Sequence, residues 1–139
     1  RAPGVAARMP EGSPERRRIE ERLAAPSVYD AFLRFLAANG YEVPAEALSR
    51  DPSGPPVEDE RIRDVLVGIY RSDPAIRDVC ERLVDLDEGL QEWRYRHVKM
   101  VQRTIGMKTG TGGSAGVEYL KHTLFRPLLP DLWAIRTRL

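Results

Sequence analysis

Residues 73–105 read DPAIRDVCERLVDLDEGLQEWRYRHVKMVQRTI, and this stretch decides the fold. Asp73 followed by Pro74 is a helix start, an acceptor at the cap position and a ring whose fixed φ suits the first helical residue. From there Ile76, Val79, Cys80, Leu83, Leu86, Leu90, Trp93, His97, Met100, Val101 and Thr104 recur at helical spacing. Gly89 weakens such a helix without ending it. At the standard rise the element exceeds roughly 40 Å, more than a small globule covers by itself. A helix of this length calls for further packing partners.

Working outward, Gly106–Gly116 is a glycine loop, after which Ser114 is placed to cap a short helix to about Leu124 and Asp131 a last one ending near Thr137. Upstream, a helix is expected from about Glu58 to Tyr70 with Ile62, Val65, Leu66 and Ile69 turned inward. Tyr41 to Pro56 reads as a surface connection with one helical turn around Ala45 to Leu48. Ser27 is the expected N-cap of a helix stopped by Asn39-Gly40, with Val28, Ala31, Phe32, Phe35 and Leu36 on its apolar face. Residues 1–26 are expected to be a flexible arm or connecting segment containing a charged helix, and residues 27–139 the helical part proper. Period-two alternation is missing, so the predicted class is all-α: one long helix plus several shorter ones.

Composition narrows the chemistry. The 139 residues are 42% hydrophobic and 31% charged, which is globular. One cysteine, Cys80, excludes an internal disulfide framework and any multi-cysteine zinc or iron–sulfur site; with two histidines, Cys and His together supply at most three ligands. The expected place of Cys80 is the core of its helix. Runs of the ~20 apolar residues a membrane span needs are missing, so no membrane association is expected and the cytoplasm is the expected setting. The net charge of +1 hides an asymmetry: residues 91–139 carry nine Lys/Arg against three Asp/Glu, and residues 1–90 carry thirteen against eighteen. That basic third suits an anionic ligand or an acidic partner. It lacks the dense stripe with interleaved aromatics that nucleic acid requires, so no nucleic-acid partner is expected.

Two features carry candidate chemistry. His97 has Trp93 at i−4, Met100 at i+3 and Val101 at i+4, so its imidazole projects from an otherwise apolar face. Such surroundings favour the neutral ring, the form that ligates haem iron; a core histidine bonded to a carbonyl fits the spacing equally well. The second feature, GMKTGTGGSAG at residues 106–116, is neither a P-loop nor a dinucleotide fingerprint. Lys108 lies on the wrong side of the glycines, and a helix rather than a strand precedes them. What remains is a backbone-rich loop with hydroxyls, suited to closing on a carboxylate, or a solvated linker.

The run Trp93-Arg94-Tyr95-Arg96-His97-Val98-Lys99-Met100-Val101, with Arg103, Ile105-Gly106, Gly110-Thr111-Gly112-Gly113-Ser114 and Tyr119-Leu120, resembles the tryptophan 2,3-dioxygenase family. Leu83-Val84-Asp85-Leu86 and Leu132-Trp133-Ala134-Ile135-Arg136-Thr137 look like its bacterial form. The resemblance implies an all-helical, haem b-dependent homotetramer that converts L-tryptophan and O₂ into N-formyl-L-kynurenine, the reaction of tryptophan catabolism through the kynurenine pathway. It places the axial iron ligand on His97, with Trp93, Met100 and Val101 beside the cofactor, and the contact to the substrate's ammonium and carboxylate on Thr111 with Gly110. Ser114-Ala115-Gly116 stands where many members have Ser-Ser-Gly.

The family's distal histidine, its Phe-Tyr-rich segment and its substrate-pairing arginine have no match in this sequence. No catalytic distal residue is therefore expected in this chain, and His122 is expected at the surface. An N-terminal half of the same enzyme is the expected partner, in keeping with the first residue Arg1, the overlong helix and the uneven charge. Arg94, Arg96 and Arg103 are candidates for haem propionates, subunit carboxylates or plain solvent. Two other functions fit the same residues: a superfamily haem monooxygenase acting on an indole or tyrosine derivative, and a non-catalytic helical fragment.

Overall fold

The computed structural model describes residues 3–106, 121, 122, 124 and 126–139. Gly110, Thr111 and residues 114–120 of the helix expected from Ser114 lie outside the described residues; Lys121, His122 and Leu124 near its expected end are helical. Among the described residues there are helices and no strands, in agreement with the all-α class. The helices are α1 (Pro3–Ala7), α2 (Pro14–Ala24), α3 (Val28–Ala38), α4 (Ala45–Leu48), α5 (Glu60–Ser72), α6 (Pro74–Ile105), α7 (Pro130–Ala134) and a terminal 3₁₀ turn, Ile135–Arg138. They divide between two compact units, Arg1–Val65 and Leu66–Leu139, with α5 contributing residues to each.

In the first unit, α1 forms where no periodicity predicted a helix, lies beside α2 and buries Ala6. Helix α2 starts at Ser13, whose hydroxyl accepts from the Arg16 amide, and buries none of its residues, as its charge predicts. Helix α3 has a full capping box: Ser27 Oγ accepts from the Asp30 amide while Asp30 Oδ2 accepts from the Ser27 amide at 2.8 Å. Asp30 is itself buried and lies 2.9 Å from Arg50 Nε. Burial works against its charge, but the Ser27 hydroxyl, the Ser27 amide and Arg50 outweigh it and hold the carboxyl below its ordinary range.

The inward face of α3 is Tyr29, Phe32, Leu33 and Leu36, rotated from the expected one, and Val28 is exposed. The cause is Tyr29. Its hydroxyl donates to the Val57 carbonyl at 2.8 Å and its ring lies under the Arg50 guanidinium, so the larger side chain turns inward. Asn39 and Gly40 end the helix as predicted, Gly40 at φ +88°. Helix α5 begins two residues later than expected, with Asp59 accepting from the Arg61 amide, and adds Val67 to the buried set while Val65 is only half-buried.

In the second unit, Asp73 caps α6 through the Ile76 amide, Pro74 occupies the first turn, and the helix runs 32 residues unbroken through Gly89. It is about 48 Å long at the standard rise. Gly106 ends it at φ +60°, ψ −131°, a region open almost only to glycine. Asp131 is not the cap of α7. Pro130, preorganised for the first helical position, sets the start two residues earlier, so Leu129 takes the cap position and Asp131 falls buried in the first turn.

The two glycines of this helix differ in sign. An added Cβ at Gly89 meets nothing within 4 Å and the position is exposed. Gly89→Ala is expected to stabilise the protein by roughly 0.5–1 kcal/mol. Gly106→Ala, forced into a glycine-only region, is expected to cost roughly 1–3 kcal/mol. Denaturant melts of the two variants check both signs.

Candidate functional site

Helix α6 presents two stripes. Cys80, Val84, Asp87 and Val98 are its buried residues. About a third of a turn round the helix, given 3.6 residues per turn, runs a second stripe of Leu86, Leu90, Trp93, His97, Met100 and Val101. Leu86, Trp93 and Met100 are more than half exposed, at 55%, 59% and 56%. His97, Leu90 and Val101 are half-buried. The periodicity in the sequence marks this second stripe as apolar, and in the structure its largest side chains, Leu86, Trp93 and Met100, stand exposed. Large apolar side chains in a row outside the core are the mark of a binding surface rather than of chance exposure.

His97 sits within that surface. Its ring stacks on Trp93 at 5.0 Å between centroids and 6° between planes. The flat contact restricts imidazole rotation about χ2 while leaving the ring edge, where the nitrogens lie, free of the indole. Among the described residues no three His, Cys, Asp or Glu side chains gather as a metal cage. One imidazole in an apolar stripe can offer a single nitrogen donor to a metal held mainly by other groups.

The arginines separate. Arg94 donates from Nη1 to the Arg126 carbonyl at 2.7 Å. Arg96 and Arg103 line an open groove of about 480 Å³ with Tyr95, Lys99, Met100 and Thr104, and Arg96 also borders one of about 450 Å³ with Gln91, Glu92, Tyr95 and Leu124. Lys99 Nζ stands 5.7 Å from the Tyr95 ring centroid. His97 is among the described lining residues of neither groove. His122 is exposed, as expected.

The residue that sequence reasoning missed is Asp87. It is fully buried, and its carboxylate accepts from the Leu128 amide at 2.9 and 3.0 Å, the Leu129 amide at 3.2 Å and Trp133 Nε1 at 3.0 Å. A signal existed: residues 80, 84, 87, 91, 94 and 98 keep the three-four spacing of an inner stripe, with an acid in its middle. Near the other end of the unit, Tyr70 donates its hydroxyl to Glu81 Oε1, and Arg136 Nη1 lies 2.8 Å from the same oxygen. Arg136 Nη2 also donates to the Tyr70 hydroxyl at 3.2 Å. Burial and then the Glu81 carboxylate push the Tyr70 phenol well above its ordinary value. The Tyr70 hydroxyl, against the cost of burial and with help from Arg136, holds Glu81 below its own.

Comparison with known proteins follows the geometry. A family model described as tryptophan 2,3-dioxygenase matches residues 59–139. The tryptophan 2,3-dioxygenase of Herpetosiphon aurantiacus is 53% identical over 126 residues, covering 91% of this chain and 48% of that protein. That of Anaeromyxobacter dehalogenans is 55% identical over 127 residues with the same shares, and that of Kineococcus radiotolerans 44% identical over 129, with 91% and 45%. The chain spans about half the length of the curated relatives it matches.

Cys80 lies on the buried stripe, fully enclosed, and burial pushes its thiol up to about 11. Native protein at about pH 8 is expected to react with a thiol reagent only at the rate of unfolding, and denatured protein at once and with one equivalent. A fast native reaction would place the thiol outside the core.

Proposed function

Because the chain belongs to the tryptophan 2,3-dioxygenase family, we propose that it supplies the iron-ligating helix and the amino-acid contacts of a haem b enzyme that oxygenates L-tryptophan. The observation that carries this reading is the position of His97: a single imidazole, ring plane fixed by Trp93, in an uncovered apolar stripe. His97 would hold the haem iron through an imidazole nitrogen. Trp93, Met100 and Val101 supply the apolar surface beside the donor. When bound, haem supplies the oxidative chemistry, in which both atoms of O₂ enter the indole C2–C3 bond to give N-formyl-L-kynurenine.

Gly110 and Thr111 hold the ammonium and carboxylate of the amino acid, Thr111 through its hydroxyl and both through backbone groups. Fixing that end of the substrate aligns the indole for reaction and replaces an improbable encounter with a defined pose. The remaining pocket wall, including the distal side, comes from the rest of the enzyme, within a cytoplasmic homotetramer. No helix among the described residues is long and apolar enough to cross a membrane.

Two variants of the full-length enzyme test this. His97→Ala is expected to abolish the Soret band of bound haem; a band of normal intensity would remove His97 as the ligand. Thr111→Ala is expected to weaken tryptophan binding about tenfold or more with the Soret band kept, a loss consistent with one hydrogen bond to a charged group. Mass analysis of the product with labelled O₂ separates two inserted oxygen atoms from the single one of a monooxygenase.

A further inference from the structure

Charge is unevenly spread along α6. From Pro74 to Glu92 it carries Asp78, Glu81, Asp85, Asp87, Glu88 and Glu92 against Arg77 and Arg82. From Trp93 to Ile105 it carries Arg94, Arg96, Lys99 and Arg103 and no acid. Bases in a last turn answer the helix dipole, but that attraction fades within about one turn, and Arg96 lies well before it. Four of these charges share one line. At about 100° per residue, Asp85, Glu92, Arg96 and Arg103 fall within roughly 40° of one another, on a stripe about 27 Å long. All four are exposed. The stripe lies about a third of a turn from His97 and points away from the buried face of Cys80, Val84, Asp87 and Val98.

The stripe reads the same from either end with the signs exchanged. Asp85 and Arg103 are each nine residues from position 94, and Glu92 and Arg96 each two. Glu88 and Lys99 share one flank of it, six residues before that centre and five after. None of these six side chains makes an ion pair or a hydrogen bond among the described residues. Glu92 and Arg96 stay apart although their i, i+4 spacing allows a pair. Arg96, Lys99 and Arg103 line the groove of about 480 Å³, with Tyr95 and Met100, both more than half exposed, beside them.

We propose that this stripe is a contact between two copies of the chain, whose α6 helices lie antiparallel about a two-fold axis level with residue 94. That arrangement sets Asp85 against Arg103 of the partner subunit and Glu92 against Arg96 of the partner subunit, each twice by symmetry. Glu88 and Lys99 meet in the same way on the flank. Parallel helices would instead set acid on acid and base on base. A partner of one sign would meet half of the stripe with like charge, so a second copy is the occupant that the pattern selects. Exposed ion pairs give register and selectivity more than affinity, so the contact is one part of a larger subunit interface, to which Tyr95 and Met100 add apolar area. This rests on the reading above only in needing more than one copy per molecule, and it leaves the stripe of His97 uncovered.

Charge reversal in the full-length enzyme, read by sedimentation velocity, tests the contact. Asp85→Lys with Glu92→Lys makes the whole stripe cationic, and Arg96→Glu with Arg103→Glu makes it anionic. Each double variant alone is expected to raise the dissociation constant of the contact at least about hundredfold and to sediment as a smaller species than the parent. The helical circular dichroism is expected to stay, because all four positions are exposed. Mixed in equal amounts, the two variants are expected to recover the parent's size. One chain with all four exchanges is expected to keep that size, since its stripe is again self-complementary. A double variant that loses its helical signal is replaced by the single exchanges Asp85→Lys and Arg103→Glu, judged in the same way. A parent-sized species from either variant alone would overturn the proposal. Smaller species that neither the mixture nor the fourfold exchange restores would overturn it too. A monomeric parent would overturn it together with the homotetramer and leave the haem and tryptophan reading standing. A parent that assembles but does not oxygenate tryptophan would overturn that reading and leave this contact to be judged by size.

Discussion

The carboxylate of Asp87, enclosed within its unit and met by three N–H groups, is the contact on which the second unit depends. Burying a carboxylate is costly, and the cost is offset only while each donor stays aimed at it. That requirement makes the contact an address. An apolar residue at this position would accept any hydrophobic neighbour, whereas a carboxylate accepts only the backbone at Leu128 and Leu129 with the indole of Trp133 beside it. The register of the C-terminal segment on α6 follows from that selectivity, and Leu129, Leu132 and Ile135 are buried in consequence. The Glu81–Arg136–Tyr70 group fixes the same register a second time at the N-terminal end of α6.

Helix α6 thus does two jobs with two faces. The stripe through Cys80, Val84, Asp87 and Val98 is used up in holding the unit together. The adjacent stripe, with Leu86, Trp93 and Met100 standing out, is not. Exposing it carries a free-energy cost. His97 belongs to the second stripe. Trp93 stacks on it, and that face-to-face contact restricts the plane of the imidazole.

The first unit is built on the same principle in smaller form. Asp30 joins a capping box to an arginine from the following connection, and Arg50 covers the Tyr29 ring as well. The later part of the Tyr41 to Pro56 connection is tied down by Arg50, whose guanidinium also donates to the carbonyls of Asp51, Gly54 and Pro55. A connection rich in Pro, Ser and Gly needs such an anchor, because it has little apolar surface of its own to bury.

Local chemistry was enough to determine the helical class, the caps at Ser27 and Asp73, the stop at Gly40, the single turn at Ala45–Leu48 and the unbroken run of α6. Each is set by residues within a turn of one another, where spacing and cap type act directly. His97 and its neighbours were legible for the same reason, and so was the family, since the longest run of its motif, Trp93–Val101, is contiguous along one helix. The sequence did not determine which apolar stripe of α6 would be covered, which side of α3 would face inward, or that Asp87 would be a buried acceptor. Those outcomes turn on groups distant in the chain: Val57 and Arg50 for Tyr29, and Leu128, Leu129 and Trp133 for Asp87. A charged residue read alone is assigned to solvent, and only the donors brought to it by the folded chain make its burial affordable.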